Sequence, residues 1–245
     1  MSNSLCNLQK QPWKKHDPSD ALSFSRLSTF EQCPAQFDYL YVSKRVQNSM
    51  NEASEYGDRV HKVLEAKGNG SLDESTLTLE GKQSLERWGP LVDKITSRPG
   101  EKLFEHQMSV NRQLQPVDWF AEDVWIRSIA DVLVVDGDTA YCLDYKTGKV
   151  KENPTQLQLF AAMVMWHYPQ VTKVKTSFIW LKFDEVTNAT YERRFLDSLW
   201  RALEPRFDMV QEVIDLGVFK TKPSGLCPWC PAKGFCPDAR LKGKR

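Results

Sequence analysis

The stretch Ile129-Ala-Asp-Val-Leu-Val-Val-Asp-Gly-Asp-Thr-Ala-Tyr-Cys-Leu-Asp-Tyr-Lys-Thr-Gly148 decides the fold of this chain. Two apolar runs flank Asp136-Gly137-Asp138, a strong signal for a two-residue hairpin turn. With Gly137-Asp138 as the loop, Asp131 lies directly opposite Asp144. With Asp136-Gly137 as the loop, Asp131 pairs with Cys142 and lies diagonal to Asp144. Either even-numbered loop puts the two carboxylates on one face, and Lys146 shares it because side chains alternate with period two. A three-residue loop would turn Asp131 to the other face. Cross-strand neighbours have Cβ atoms about 5 Å apart, so two carboxylates there repel unless a cation lies between them. Ordinary surface charge at a hairpin end is the plain alternative. The apolar runs on both sides weigh against it, because they imply a covered sheet in which unpaired acids are costly.

The pattern on either side of the hairpin supplies the rest of the architecture. Asn153-Pro154 predicts a helix start, with Asn as cap and Pro at the first helical position. The run to His167 is apolar on most faces and therefore buried. Upstream, helices are expected over 23–33 (ended by Pro34), 35–46, 51–67 (stopped by Gly68-Asn-Gly70) and 79–96. Leu103 to Val110 alternates weakly and reads as a strand. Val171 to Phe183 reads as another strand, and 196–216 as a helix containing Pro205 and capped by Gly217. Helices, three strands, helix, strand, helix argues an α/β fold, a mixed sheet with helices on both faces. The polar residues 1–20 read as a flexible arm, and 21–245 as one domain ending in a basic tail over 239–245.

Bulk properties exclude several classes. The chain has 245 residues, 41% hydrophobic residues and 8 Trp, enough for a sizeable core, and a net charge of +1. Any nucleic-acid surface must therefore be a local patch rather than a global basicity. No run approaches the roughly 20 apolar residues of a membrane span, and the first ten residues lack the apolar centre of a signal peptide. A cytoplasmic location with no membrane association is expected. No phosphate-binding G-x-x-x-x-G-K-[ST] loop is present.

Hard carboxylate oxygens at Asp131 and Asp144 favour Mg²⁺ or Mn²⁺. His61, four residues after Gly57 on the 51–67 helix, would tilt the preference toward Mn²⁺ as a nitrogen ligand. Taken alone, it would read as an ordinary core or surface histidine. Glu105 adds an acid on the first strand, weak evidence by itself. Gln156 sits in the first turn of the helix that follows the lysine strand and can reach the same place, or be a solvated N-terminal glutamine.

Six cysteines in a reducing compartment point to metal rather than disulfides. Cys227, Cys230 and Cys236 are spaced C-x2-C-x5-C, and Cys33 is the best candidate for a fourth ligand. Four thiolates suit zinc or an iron–sulfur cluster. Such a site would tie the first helix to the C-terminal segment across about 200 residues, a long-loop crosslink. Cys6 and Cys142 have no partner spacing and read as free thiols.

Taken together, Gly57-x-x-x-His61, Ile129-Ala-Asp131, Leu143-Asp-Tyr-Lys-Thr-Gly148 and Gln156-Leu-Gln-Leu-Phe160 resemble the PD-(D/E)XK nucleases, in particular their RecB/AddB-like and Cas4-like branch. The resemblance spans about residues 22–238. It implies a restriction-endonuclease-like mixed sheet flanked by helices. It implies that His61, Asp131, Asp144 and the Tyr145 carbonyl hold Mg²⁺ or Mn²⁺, that Lys146 aids the attacking water, and that Gln156 lines the site. Phe160 stands where the family has tyrosine, which removes that hydroxyl. Ser128 stands near a glycine usual in the family. The resemblance also implies a [4Fe–4S] cluster on Cys33, Cys227, Cys230 and Cys236, with zinc the lesser alternative, and places 21–50 and 217–238 in one cluster subregion. The implied activity is DNA hydrolysis, most simply an exonuclease on ends or single strands. It would serve recombination, repair or CRISPR-type processing, alongside helicase, recombinase or adaptation partners, with homo-oligomers left open. A non-catalytic DNA-binding or scaffolding subunit with a vestigial site is the alternative; the intact acid–acid–lysine set argues against it.

Overall fold

A computed structural model describes residues 20–47, 51–151 and 153–240. The expected arm over 1–19, Cys6 and the tail from 241 lie outside the described residues. Five strands form one mixed sheet in sequence order: β1 (Glu101–Asn111), β2 (Val124–Asp136), β3 (Thr139–Lys146), β4 (Lys173–Trp180) and β5 (Glu185–Glu192). Only β3 and β4 run parallel; the other neighbours are antiparallel. A parallel pair needs a crossover, and the buried helix after the hairpin supplies it.

The fifth strand corrects the sequence reading, which ended the sheet at four. Glu185-Val-Thr-Asn-Ala-Thr-Tyr-Glu192 is polar and mostly exposed. It pairs only with β4. An edge strand with one covered neighbour carries little hydrophobic signal, so periodicity alone passes over it.

Among the described residues, six α-helices surround the sheet: α1 (Phe24–Gln32), α2 (Pro34–Phe37), α3 (Glu52–Gly68), α4 (Leu79–Thr96), α5 (Pro154–His167) and α6 (Leu196–Leu216). On one face, Val60 and Leu64 of α3 and Trp88 and Val92 of α4 pack against Val132, Val134 and Tyr145. On the other, α1, α5 and α6 pack against Leu133, Val135, Ala140 and Cys142. Apolar residues on both sides of one hairpin thus mark two cores, one per face. No described helix is long and apolar enough to cross a membrane.

Local chemistry explains the helix ends. The Ser23 side chain accepts the Arg26 N–H at 3.3 Å and caps α1. Cys33 is extended, as a residue before proline prefers, which breaks α1 from α2. The single helix expected over 35–46 is shorter: α2 passes into a π-helical turn at Asp38–Val42, and the chain leaves helical geometry near Lys44 at φ 50°. Phe37 and Tyr41 remain packed, with ring centroids 5.4 Å apart. Asn153 occupies the cap position of α5 but makes no side-chain cap bond, so Pro154 carries the start. Gly217 ends α6 at φ 64°, a left-handed conformation suited to glycine.

Gly57 sets how closely α3 approaches the end of β3. A Cβ at this position would meet Thr147 Oγ1 at 2.8 Å. Alanine gains about 1 kcal/mol of helix propensity over glycine, while overpacking costs about 1–3 kcal/mol. Gly57→Ala is therefore expected to be neutral to destabilising in the wild-type chain, yet stabilising by about 1 kcal/mol in a Thr147→Ala background. A double-mutant cycle by urea denaturation measures this. Purely additive effects would show that the approach is not tight.

Candidate active site

The hairpin turn is the two-residue Gly137-Asp138 loop, with Asp136 paired to Thr139. Gly137 takes φ 58° and Asp138 does not have positive φ, the pattern of a glycine-first II′ turn. Continuing this register past Val132–Leu143 puts Asp131 opposite Asp144. The backbone ladder stops there. Instead, Asp131 Oδ2 accepts the Tyr145 N–H at 2.5 Å. On the other side, Phe104 pairs with Val132 and His106 with Ala130, which puts Glu105 opposite Asp131. Three acids from three adjacent strands thus form one row, Glu105–Asp131–Asp144.

The row is not flat. Leu133 and Val135 belong to the core on the α5 side, whereas Ile129 and Asp131 line a cleft with His61 of α3. In β1, Phe104 packs toward α3 and Met108 and Val110 toward α5, with Glu105 at φ 46° between them. Strand alternation slips by one residue at Glu105 and Asp131. The expectation of both aspartates on one face is corrected accordingly. Asp131 turns toward α3, while Asp144 keeps the alternation of Ala140 and Cys142 toward α5. The two remain neighbours because they occupy the same row.

Each aspartate has its own company. The Asp144 side chain is 9% exposed, and its Oδ2 lies 2.5 Å from Lys146 Nζ. Gln156 donates through Nε2 to Asp144 Oδ1 at 3.0 Å and accepts from Lys146 Nζ at 3.2 Å. A closed ring of acid, lysine and amide results, with Pro154 setting the start of α5 that delivers the glutamine. The Lys146 contact is ionic, and Oδ2 takes no aligned hydrogen bond. Burial pushes the Asp144 carboxyl up to about 6, opposed by the Lys146 charge. Lys146 Nζ also lies 4.9 Å from the Phe178 ring centre.

Asp131 Oδ1 lies 3.2 Å from His61 Nδ1. Burial disfavours the His61 imidazolium, but the hydrogen bond and charge of Asp131, helped by Asp144 and Glu105, raise its pKa on balance. Burial, then the charges of Asp131 and Glu65, push Glu105 up to about 7. Ligand atoms of His61, Glu105 and Asp131 all lie within 4.8 Å of one another. Among the described residues these three converge to the distances a single metal ion needs. Asp144 stands outside the group. Glu105 is thus a more central residue than its place in the sequence suggests. The signal for it is register: any residue of β1 opposite Asp131 must join the row, but β1 had no legible register before folding.

The convergence of His61, Glu105 and Asp131, with the acids repelling one another, is what a cation site requires, and imidazole with carboxylates suits Mn²⁺ or Mg²⁺. Tyr145 keeps its side chain in the α3–α4 core, with its hydroxyl buried and without a hydrogen-bond partner. Phe160 is 2% exposed and part of the α5 core, so no side-chain hydroxyl enters from that position.

Cys33, Cys227, Cys230 and Cys236 line one cavity with Tyr39 and Leu226. The Lys222 N–H lies 3.4 Å from Cys33 Sγ and the Ser224 N–H 3.2 Å from Cys227 Sγ. Burial, then the nearness of the other three sulfurs, raises the Cys230 thiol pKa, against one backbone hydrogen bond. Cys142 is fully buried in the α5-side core, away from this group.

This subregion is wired to the acid row. Arg206 of α6 makes a two-point ion pair with Glu31, at 2.6 and 2.8 Å, and donates to Thr155 Oγ1 at 2.8 Å. Glu31 lies two residues before Cys33, and Thr155 one before Gln156.

Comparison with curated proteins gives no match. Among solved structures, one described as a "Putative exonuclease" from Eubacterium rectale aligns with a TM-score of 0.55 at 10% identity, covering 91% of this chain and 88% of that one. The protein SSO0001 aligns at 14% identity and a TM-score of 0.42, covering 90% and 87%, too loosely to carry an argument. At such identities the first likeness speaks to the fold alone. The family profile described as "PD-(D/E)XK nuclease superfamily" matches residues 21–237, and with the acid row and its lysine at the end of the hairpin, the chain belongs to that superfamily.

Proposed function

We propose that this protein is a metal-dependent deoxyribonuclease, an exonuclease acting on DNA ends or single strands. One observation carries the reading: a buried carboxylate, Asp144, clamped between Lys146 and Gln156 and set in one row with Asp131 and Glu105. The motifs around His61, Asp131 and Lys146 support a place in the RecB/AddB-like and Cas4-like branch of the superfamily.

His61, Asp131 and Glu105 would hold a divalent cation, with Asp144 and the Tyr145 carbonyl as neighbouring ligands. A cation bound there neutralises phosphate charge and lowers the pKa of water. The protein residues do the positioning. Asp131 is fixed by the Tyr145 N–H, which keeps its second oxygen toward His61. Lys146 offers a cation to the phosphate and orients the attacking water. Gln156 bonds to both Lys146 and Asp144 and so holds the pair in place at the start of α5. The chain has no phosphate-binding loop, so unwinding would fall to a helicase partner.

Cys33, Cys227, Cys230 and Cys236 would hold a [4Fe–4S] cluster that locks α1 to the segment after α6. The support is that all four cysteines line one cavity, together with the resemblance of their C-x2-C-x5-C spacing to the iron–sulfur branch of the superfamily. Its role is a staple: it fixes Glu31, and through Arg206 the first turn of α5, where Gln156 sits.

Purified protein with Mn²⁺ is expected to degrade end-labelled single-stranded DNA. Asp144→Ala and Lys146→Ala should each lower the rate by about 10²–10⁴-fold. Equal rates for wild type and variants would overturn the assignment. Glu105→Gln should weaken Mn²⁺ binding, read by calorimetry, by about 10–100-fold. An unchanged affinity would remove Glu105 from the ligand set. For the cysteines, the preparation should be brown, with about four iron atoms per chain, and Cys230→Ser should lose the colour and lower Tm. A colourless protein with one zinc per chain would sink the cluster.

A further inference from the structure

The segment that carries the three C-terminal cysteines has a surface that the cysteines do not explain. Residues 216–237 contain Lys220, Lys222 and Lys233 and no aspartate or glutamate. This is a local basic stretch in a chain whose net charge is only +1. Within it, Trp229 is 79% exposed and Phe235 61%. Trp88, Trp125, Trp180 and Trp200 are, by contrast, all at least nine-tenths buried. An exposed indole sacrifices the hydrophobic gain that these four take, so its place on the surface calls for a ligand.

Trp229 is also held in place. It ends a short 3-10 turn, Cys227–Trp229, between two cysteines, with its N–H donating to the Leu226 carbonyl at 3.0 Å. Pro228 and Pro231 on either side limit the backbone further. Phe235 has Tyr39 of the N-terminal part as a neighbour, with ring centroids 6.5 Å apart. Rings on a rigid turn lose little conformational entropy when a flat partner stacks on them.

Asp215 and Asp238 bound the stretch, Asp215 accepting from Gln211 and Asp238 from the Thr221 hydroxyl, and Glu31 is paired with Arg206. Lys233 Nζ donates to the carbonyl of Pro228, the residue before Trp229, at 3.4 Å. Exposed rings and lysines in one short stretch have the composition of a sequence-tolerant single-strand site. A short chain of contacts connects it to the acid row. Lys222 Nζ donates to the Glu31 carbonyl at 2.7 Å, Glu31 pairs with Arg206, Arg206 donates to Thr155, and Gln156 follows.

We propose that Trp229 and Phe235, with Lys220, Lys222 and Lys233, form a stacking platform for single-stranded DNA that feeds the strand toward Asp144 and Lys146. This rests on the nuclease reading above and adds the strand preference to it. Duplex DNA keeps its bases stacked inside the helix and offers no free face to Trp229. The platform therefore discriminates by strandedness rather than by sequence.

The test is binding of fluorescently labelled oligo-dT and of a blunt duplex by anisotropy, in EDTA so that no cleavage occurs, across a salt series. Stacking contributes about 1–3 kcal/mol per base, so Trp229→Ala should weaken oligo-dT binding about 5- to 100-fold. Its salt slope and its affinity for the duplex should stay unchanged. Lys220→Gln and Lys233→Gln should each reduce the slope of log K against log salt by about 0.7, the value for one single-strand phosphate contact. Circular dichroism and bound iron, unchanged in Trp229→Ala, would show that the fold and cluster survive; Phe235→Ala provides a second variant with a smaller loss. If Trp229→Ala binds oligo-dT as wild type does while Mn²⁺-dependent cleavage persists, the platform is wrong and the nuclease stands. A Trp229→Ala variant that instead loses self-association in sedimentation, with unchanged DNA affinity, would mark the patch as a protein interface and overturn the proposal. If wild type neither binds nor cleaves DNA, both readings fall.

Discussion

Like-charge repulsion within one row of a sheet organises this protein. Glu105, Asp131 and Asp144 stand on neighbouring strands, and strands lie about 4.8 Å apart. Carboxylates at that spacing cannot all be charged and buried without compensation. The fold compensates on both sides. Lys146 and Gln156 hold Asp144 from the α5 side, and His61 with the Tyr145 N–H holds Asp131 from the α3 side. What the protein alone leaves uncompensated is negative charge between Glu105, Asp131 and His61, where a divalent cation would complete the balance.

The surrounding structure serves this arrangement. Gly57 lets α3 come close enough for His61 to reach β2. Pro154 begins α5 where Gln156 can bridge lysine and acid. The slip in strand alternation at Glu105 and Asp131 turns two acids out of the regular sheet toward the α3 cleft. A non-glycine residue at φ 46° inside a strand is a conformation that surrounding contacts must impose, and it falls at the site rather than elsewhere in β1. The cysteine group is farther away, but Arg206 links it to the first turn of α5 through Glu31 and Thr155. Ends of the chain distant in sequence thus bear on the position of one glutamine.

Several of these features were legible in the residues. The hairpin followed from an Asp-Gly-Asp turn between apolar runs, but an even loop length left two registers, of which the structure takes the one with Asp136 opposite Thr139. Helices α3, α4, α5 and α6 followed from periodicity, stops and proline or glycine signals, within a residue or two. Other features were not legible. β5 is polar because it is an edge, so it lacks the pattern by which strands are recognised. The π-helical turn after Phe37 replaces a predicted helix because packing of Phe37 and Tyr41 overrides local preference. Asn153 looked like a capping side chain and makes no such bond. Glu105 was an ordinary strand glutamate until its register against β2 was known.

The sequence by itself singled out the candidate groups: two aspartates and a lysine on one hairpin, a histidine on a glycine-marked helix, a glutamine after a proline start, and three cysteines at C-x2-C-x5-C spacing with Cys33 as a candidate fourth. It could do so because those signals are local, set by turn length, period and short spacings. Only the tertiary structure decided how the groups divide. It turned Asp131 toward His61 and Glu105, left Asp144 with Lys146 and Gln156, and brought Cys33 to a segment almost 200 residues away. Those choices depend on strand register, on a slip in alternation and on contacts between distant elements, and no local pattern encodes any of the three.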